Sequence, residues 1–269
     1  MSTADLREVG SIGLLDLEII SKLSGRDFLP YPFMFTQPPK FKLYDEYFKY
    51  AKSVPDRYNN GDLRIFQKCA GSYADADIRV ECHVQYIPAD TPNVRVVAYR
   101  LDQAGFLAKQ RPDEDVIDFY ELSPYLLGSA VADSAALKKP GRRSGIVIPE
   151  YRQLPRLFPE HAWNTPNNAQ ASDDVSILHA TDDEPSGIEV PRAKVTAFGT
   201  VQSHWHPTRS WGIDRGKDFA VWIRIKDDGD YLYQPDFSEA KPMSRPMLAE
   251  RIDRLISEDV KALRQFRNG

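Results

Sequence analysis

The sequence predicts an α+β fold built from two β-rich halves, and three observations carry that prediction. Residues 77–86 alternate without a break: Ile78, Val80, Cys82, Val84 and Tyr86 on one side, Asp77, Arg79, Glu81, His83 and Gln85 on the other. Successive side chains of a strand face opposite ways, so the pattern predicts one buried and one wetted face. A second such run, 194–206, opens the later part of the chain. In each half a central strand, a further strand after a turn and a long helix then follow. The layout predicts one domain over 1–269, with pseudo-repeat halves of about 11–140 and 190–268 and a loop-rich join of about 141–190.

Residues 1–10 read as a frayed end. Ser11 is a natural helix cap, and Leu15, Ile19 and Leu23 form one stripe up to Gly25. Pro30 and Pro32 hold Phe28 to Phe33 extended, because each fixes its own φ and moves its predecessor out of the helical region. Tyr44, Tyr47, Phe48 and Ala51 have the spacing of one helix face over about 40–54, and a shorter helix is expected over 62–70. The strand at 77–87 turns through Pro88, Asp90, Pro92 and Asn93 into 94–101. That strand is apolar on both sides and therefore central. Strands follow at 106–110 and 116–122, and Ser123 with Pro124 opens a helix to about 137. The signal then weakens. Residues 146–148 read as a short strand, 151–158 as a helical turn and 164–187 as a long polar loop. Beyond 194, Phe219, Val221, Ile223 and Ile225 alternate with Ala220, Trp222 and Arg224. Asp228-Gly229 then turns the chain into 231–234. The last helix is capped by Ser244, with Leu248, Ile252, Leu255, Ile256, Leu263 and Phe266 on one stripe.

The chain has 269 residues, 28% of them charged, with a formal net charge of -4. That balance lacks the basic stripe of a nucleic-acid binder. Lys138, Lys139, Arg142 and Arg143 are its one basic cluster, placed in a loop and read first as a solvated turn, with an anion or nucleic-acid contact as the alternative. No run approaches the ~20 apolar residues that span a bilayer. With no export-like leader, Cys69 and Cys82 read as free thiols, and the expected location is the cytoplasm.

No phosphate-binding loop, nucleophile elbow or dinucleotide fingerprint is present. Ser203 and His204 are adjacent on a strand, so they point apart and cannot act as a nucleophile and its base. His204 and His206 share a face. They suit a metal-dependent hydrolase only if His161 or His179 with Asp173 or Asp174 folds over them; the plainer reading is two solvated groups. The expectation is therefore no enzyme, no cofactor and no metal.

What remains is aromatic surface. Phe198 is expected to share a strand face with Thr200, Gln202 and His204, and Trp222 to lie opposite Val221 and Ile223. With one sheet face as core, Phe198 and Trp222 stand together on the other as partner anchors. The alternative, helices over both faces, stays open. Trp205 and Trp211 complete the expected binding surface, which thus comprises Phe198, Thr200, Gln202, His204, Trp205, Trp211 and Trp222.

The order of motifs resembles the EspG family, chaperones of type VII (ESX) secretion in actinobacteria. The resemblance begins with Leu14-Leu15-Asp16-Leu17-Glu18 and Leu29-Pro30-Tyr31-Pro32-Phe33, then runs through the 77–86 strand, 94–99 and Gly105-Phe106-Leu107-Ala108. It continues through 116–122 into Ser123-Pro124, Phe198-Gly199-Thr200-Val201, Asp228-Gly229-Asp230-Tyr231-Leu232 and the closing helix. The family's Gly-x-Gly-Gln strand reads here as Gly199-Thr200-Val201-Gln202, one glycine short, and 140–190 matches poorly. The resemblance implies a central, mostly antiparallel twisted sheet flanked by two helical bundles in a pseudo-twofold arrangement. It also implies binding of the helical tip of a PPE protein in a PE–PPE heterodimer, without nucleic acid or membrane insertion; weak self-association stays open. A structural adaptor with a non-PPE partner is the remaining rival.

Overall fold

The computed structural model describes residues 6–88, 90–151, 187–206, 211–214 and 216–268. Strand β1 (Arg7–Gly13) leads into α1 (Leu14–Leu23); α2 (Tyr44–Asn60), a 3-10 turn (Asp62–Phe66) and α3 (Gln67–Ala74) follow. Next come β2 (Ile78–Tyr86), β3 (Val94–Leu101), β4 (Ala104–Gln110), β5 (Val116–Leu122) and α4 (Leu127–Ser134). After the short β6 (Ile146–Val147) and β7 (Ile188–Glu189) come β8 (Val195–His204), β9 (Phe219–Ile225), β10 (Asp230–Tyr233), β11 (Ala240–Pro242) and α5 (Arg245–Asn268).

The strands form one sheet in the order β1-β5-β4-β3-β2-β8-β9-β10-β11-β6-β7. Two meanders, β2 to β5 and β8 to β11, join antiparallel through β2 and β8, with Arg79 opposite His204 and Tyr86 opposite Ala197. Among the strand pairs of the described residues, only β6–β7 is parallel. Each meander is followed by a helix, and α4 and α5 pack over the same sheet face as Val80, Val201 and Trp222. Helices α1 to α3 cover the opposite face of the first half over Val97, Tyr99 and Phe106. In the second half that opposite face is closed by Ile148, Tyr151 and Phe237 over Phe198, Val221 and Ile223. The α+β class, the antiparallel sheet, the two groups of helices and the central position of β3 all match the sequence reading.

Four expectations are corrected. The first is the frayed end. Residues 7–13 are a strand on β5, and Ser11 caps no helix; its hydroxyl donates to Asp118 Oδ1 (2.6 Å) while Arg111 donates to it (2.7 Å). Long-range pairing here overrides the local capping preference. The second is the core stripe of α2. Tyr44 and Phe48 are exposed at 74% and 45%. The helix runs through Pro55 to Asn60, anchored by buried Val54 and by Arg57, which reaches Asp16 and Asp62. Those contacts offset the roughly 3 kcal/mol an internal proline costs. Third, α4 starts at Leu127 and not at 123. Backbone at Pro124 lies within 2.9 Å of where a Cβ on Gly105 would stand, so residues 123–126 are held as a turn against β4. Fourth, β2 has no wetted face in its central part. Arg79 and Glu81 are as buried as Val80 and Cys82. The expected turn at 151–158 and loop at 164–187 fall almost wholly outside the described residues.

Candidate partner-binding surface

Of the seven residues expected at the surface, five are interior. Phe198, Thr200, Gln202, His204 and Trp222 are between 0% and 7% exposed. Phe198 and Trp222 also lie on opposite faces. Phe198 packs with Val221 and Ile223, whereas Trp222 enters the core under α4 and α5. The open sheet face expected from the alternating pattern is therefore absent here, because both faces of β8 are covered.

What alternation marked as wetted is a buried polar island where the two meanders meet. The β2–β8 register sets Arg79 beside His204, Glu81 beside Gln202 and His83 beside Thr200, while β3 adds Arg95 beside His83. His204 Nε2 stands 3.4 Å from Glu81 Oε2, both side chains essentially fully buried. Gln202 is held by its loop: its amide donates to Asp214 O (2.7 Å) and its carbonyl accepts from Asp214 N (2.8 Å). Arg79 donates to Tyr73 O and Ala74 O, at 3.1 and 2.9 Å. Burial holds the Arg79 guanidinium below its ordinary pKa.

Tyr31 roofs this island. Its ring meets His83 edge-on (6.2 Å between centroids), with the Thr200 side chain near its hydroxyl. Burial, with the Glu81 carboxylate nearby, raises the phenol pKa. The same roof pushes His83 down to about 3, burial first and the Arg95 charge second. Tyr31 comes from the extended 28–33 crossing, which the sequence marked as structural and not as part of the site.

Trp211 stands on the outer side of Tyr31, with ring centroids 4.9 Å apart and 42% of the residue exposed. On the other sheet face at the same end of β8, half-buried Trp205 lies 5.3 Å from Phe266, a residue 72% exposed on α5. Trp211 and Trp205 are thus the two members of the expected surface that a partner can reach, with Tyr31 and Phe266 beside them. Exposed aromatics backed by buried ones resist the entropy loss of binding, which suits anchor residues. Sequence spacing gave no sign of a second exposed apolar surface, Tyr44 and Phe48 on α2 with Leu43 just before it, because the helical stripe there has the pattern of a core face.

The metal reading fares poorly on geometry. His204 points into the island against Glu81, while His206 lies beside the Trp205 ring at 5.0 Å. Among the described residues no three His, Cys, Asp or Glu side chains gather to hold a metal; His161, His179, Asp173 and Asp174 lie outside them. Cys69 and Cys82 are buried and free, and burial raises the Cys69 thiol to about 12. No helix of the described residues is long and apolar enough to cross a membrane.

No protein-family model matches the chain, and no curated protein does. Among solved structures it is similar to the Mycobacterium tuberculosis type VII secretion system chaperone EspG5, solved in complex with the PE25-PPE41 dimer. The two share 9% identity at a TM-score of 0.46, over 91% of this chain and 95% of that one.

Proposed function

We propose that this chain is a secretion chaperone of the EspG kind, binding the helical tip of a PPE protein in a PE–PPE heterodimer and keeping it ready for type VII export. The chemistry is binding, not turnover. The observation that carries the reading is Trp211, exposed and seated on Tyr31 at the junction of the two meanders. An apolar helical tip needs a few firm aromatic anchors among polar groups, and Trp211 with Trp205 and Phe266 supplies them at one end of β8. The motif order shared with the EspG family supports the same partner.

Co-expression with a PE–PPE pair encoded near this gene tests it. A stable ternary complex on size exclusion is expected. Persistent separation from every such pair would favour the rival, an adaptor with a different partner.

A further inference from the structure

At the other end of the β2–β8 ladder lies a cleft of about 1090 Å³. Five basic side chains line it, Lys138, Lys139, Arg142, Arg224 and Lys226, against two carboxylates, Asp227 and Asp228. The chain as a whole carries -4, so this is a local reversal of sign.

Two carboxylates of the region, Asp228 and Asp230, are used internally. Asp230, fully buried, accepts Arg224 Nε at 2.7 Å and the Lys138 amide at 2.6 Å. Asp228 accepts the Arg142 amide and the Tyr231 hydroxyl, both at 2.8 Å. Arg142 Nη2 donates to Asp227 O at 2.7 Å, which ties the 138–143 segment to the 227–229 turn. Gly229 is required there: a Cβ would stand 2.6 Å from Lys139 O and Pro140. These bonds tie the wall together, and the exposed charges on it are Lys138, Lys139, Arg142 and Lys226 against the Asp227 carboxylate, an excess of cations. No ion pair among the described residues involves Lys138, Lys139 or Lys226.

We propose that this cleft binds an acidic peptide segment, one whose carboxylates meet the three lysines while its apolar residues rest on Tyr86 and Pro88. The lining favours a peptide over a compact phosphate: the half-buried Tyr86 and the exposed Pro88 stand in the same cleft as the lysines, apolar surface that a bare phosphate leaves uncovered. The inference is independent of the chaperone reading, since none of Tyr31, Trp205, Trp211 and Phe266 lines the cleft.

The test is fluorescence anisotropy of the full chain with a short fluorescein-labelled peptide of repeated Glu-Glu-Leu units. Expected are binding that weakens with salt and a loss of about tenfold in the triple variant Lys138→Glu, Lys139→Glu, Lys226→Glu. The control Lys261→Glu, on exposed α5 surface, keeps wild-type affinity. All four lysines are exposed, and unchanged thermal midpoints will show that the variants fold. Absence of peptide binding, equal binding by the triple variant, or tighter binding of inorganic triphosphate than of the peptide at matched ionic strength each overturns the proposal.

Discussion

Gly199 lies beneath the indole of Trp222: a methyl group on its Cα would stand 2.0 Å from Trp222 Cε2. Trp222 is 1% exposed and fixed under α4 and α5, so the ring has nowhere to retreat. Gly199→Ala is expected to destabilise the fold by about 3 kcal/mol through overpacking, and Trp222→Leu in the same chain to recover part of that loss. Urea unfolding of the three proteins measures both. A Gly199→Ala protein as stable as wild type would mean that β8 and β9 do not approach this closely.

Glu81 and His204 make a second cross-strand pair, from the two halves of the molecule. Removing one partner leaves the other buried alone. Glu81→Leu and His204→Leu are each expected to cost about 3 kcal/mol, whereas the double variant costs far less than their sum. A double-mutant cycle by chemical denaturation gives the coupling, and strict additivity would show that the groups do not pair.

Much of the fold was legible because tertiary packing agrees with local pattern: β5 is bounded at Val116 and Leu122, as the alternation and the flanking turns indicate, and α5 buries Leu248, Ile252 and Leu255 as its stripe requires. The candidate site was much less so. Periodicity separates polar from apolar residues, but it does not separate polar from wetted. Arg79, Glu81 and His204 alternate like solvent-facing groups and are buried because Tyr73, Tyr31 and the 211–214 loop fold over this part of the sheet, contacts that strand periodicity does not encode. The reverse error occurred at Tyr44 and Phe48, where a core-like stripe stays exposed among the described residues. A β-strand on β5 could not be read from 7–13 for the same reason, since its partner lies about a hundred residues away.

Burial of His83 makes stability depend on pH. Its folded pKa of about 3 lies below the ordinary 6.5, so the unfolded chain takes up the proton first as pH falls. Stability contributed by neutral His83 is therefore complete above 6.5 and declines between 6.5 and about 3, at up to ~1.4 kcal/mol per pH unit. His83→Gln is expected to flatten this part of the profile. The check is unfolding free energy measured at several pH values for both proteins; parallel profiles would show that His83 titrates normally.

Asp230 links the Arg224 guanidinium to the 138–141 backbone. Asp230→Ala strands a buried cation and is expected to cost about 4 kcal/mol, with faster amide exchange at Gly141, whose N–H donates to Asp230 O, as the segment loosens. Hydrogen exchange read by mass spectrometry separates this from uniform destabilisation, in which all segments accelerate together.

The central claim is that a PPE helical tip docks on the aromatics at the end of β8. The most direct measurement is co-purification of a PE–PPE pair with wild type, Trp211→Arg and, as control, Phe48→Arg on the exposed face of α2. The account predicts a complex with wild type and with Phe48→Arg, and its loss with Trp211→Arg at unchanged thermal stability. A complex that survives Trp211→Arg and disappears with Phe48→Arg would contradict it and place the contact on α2.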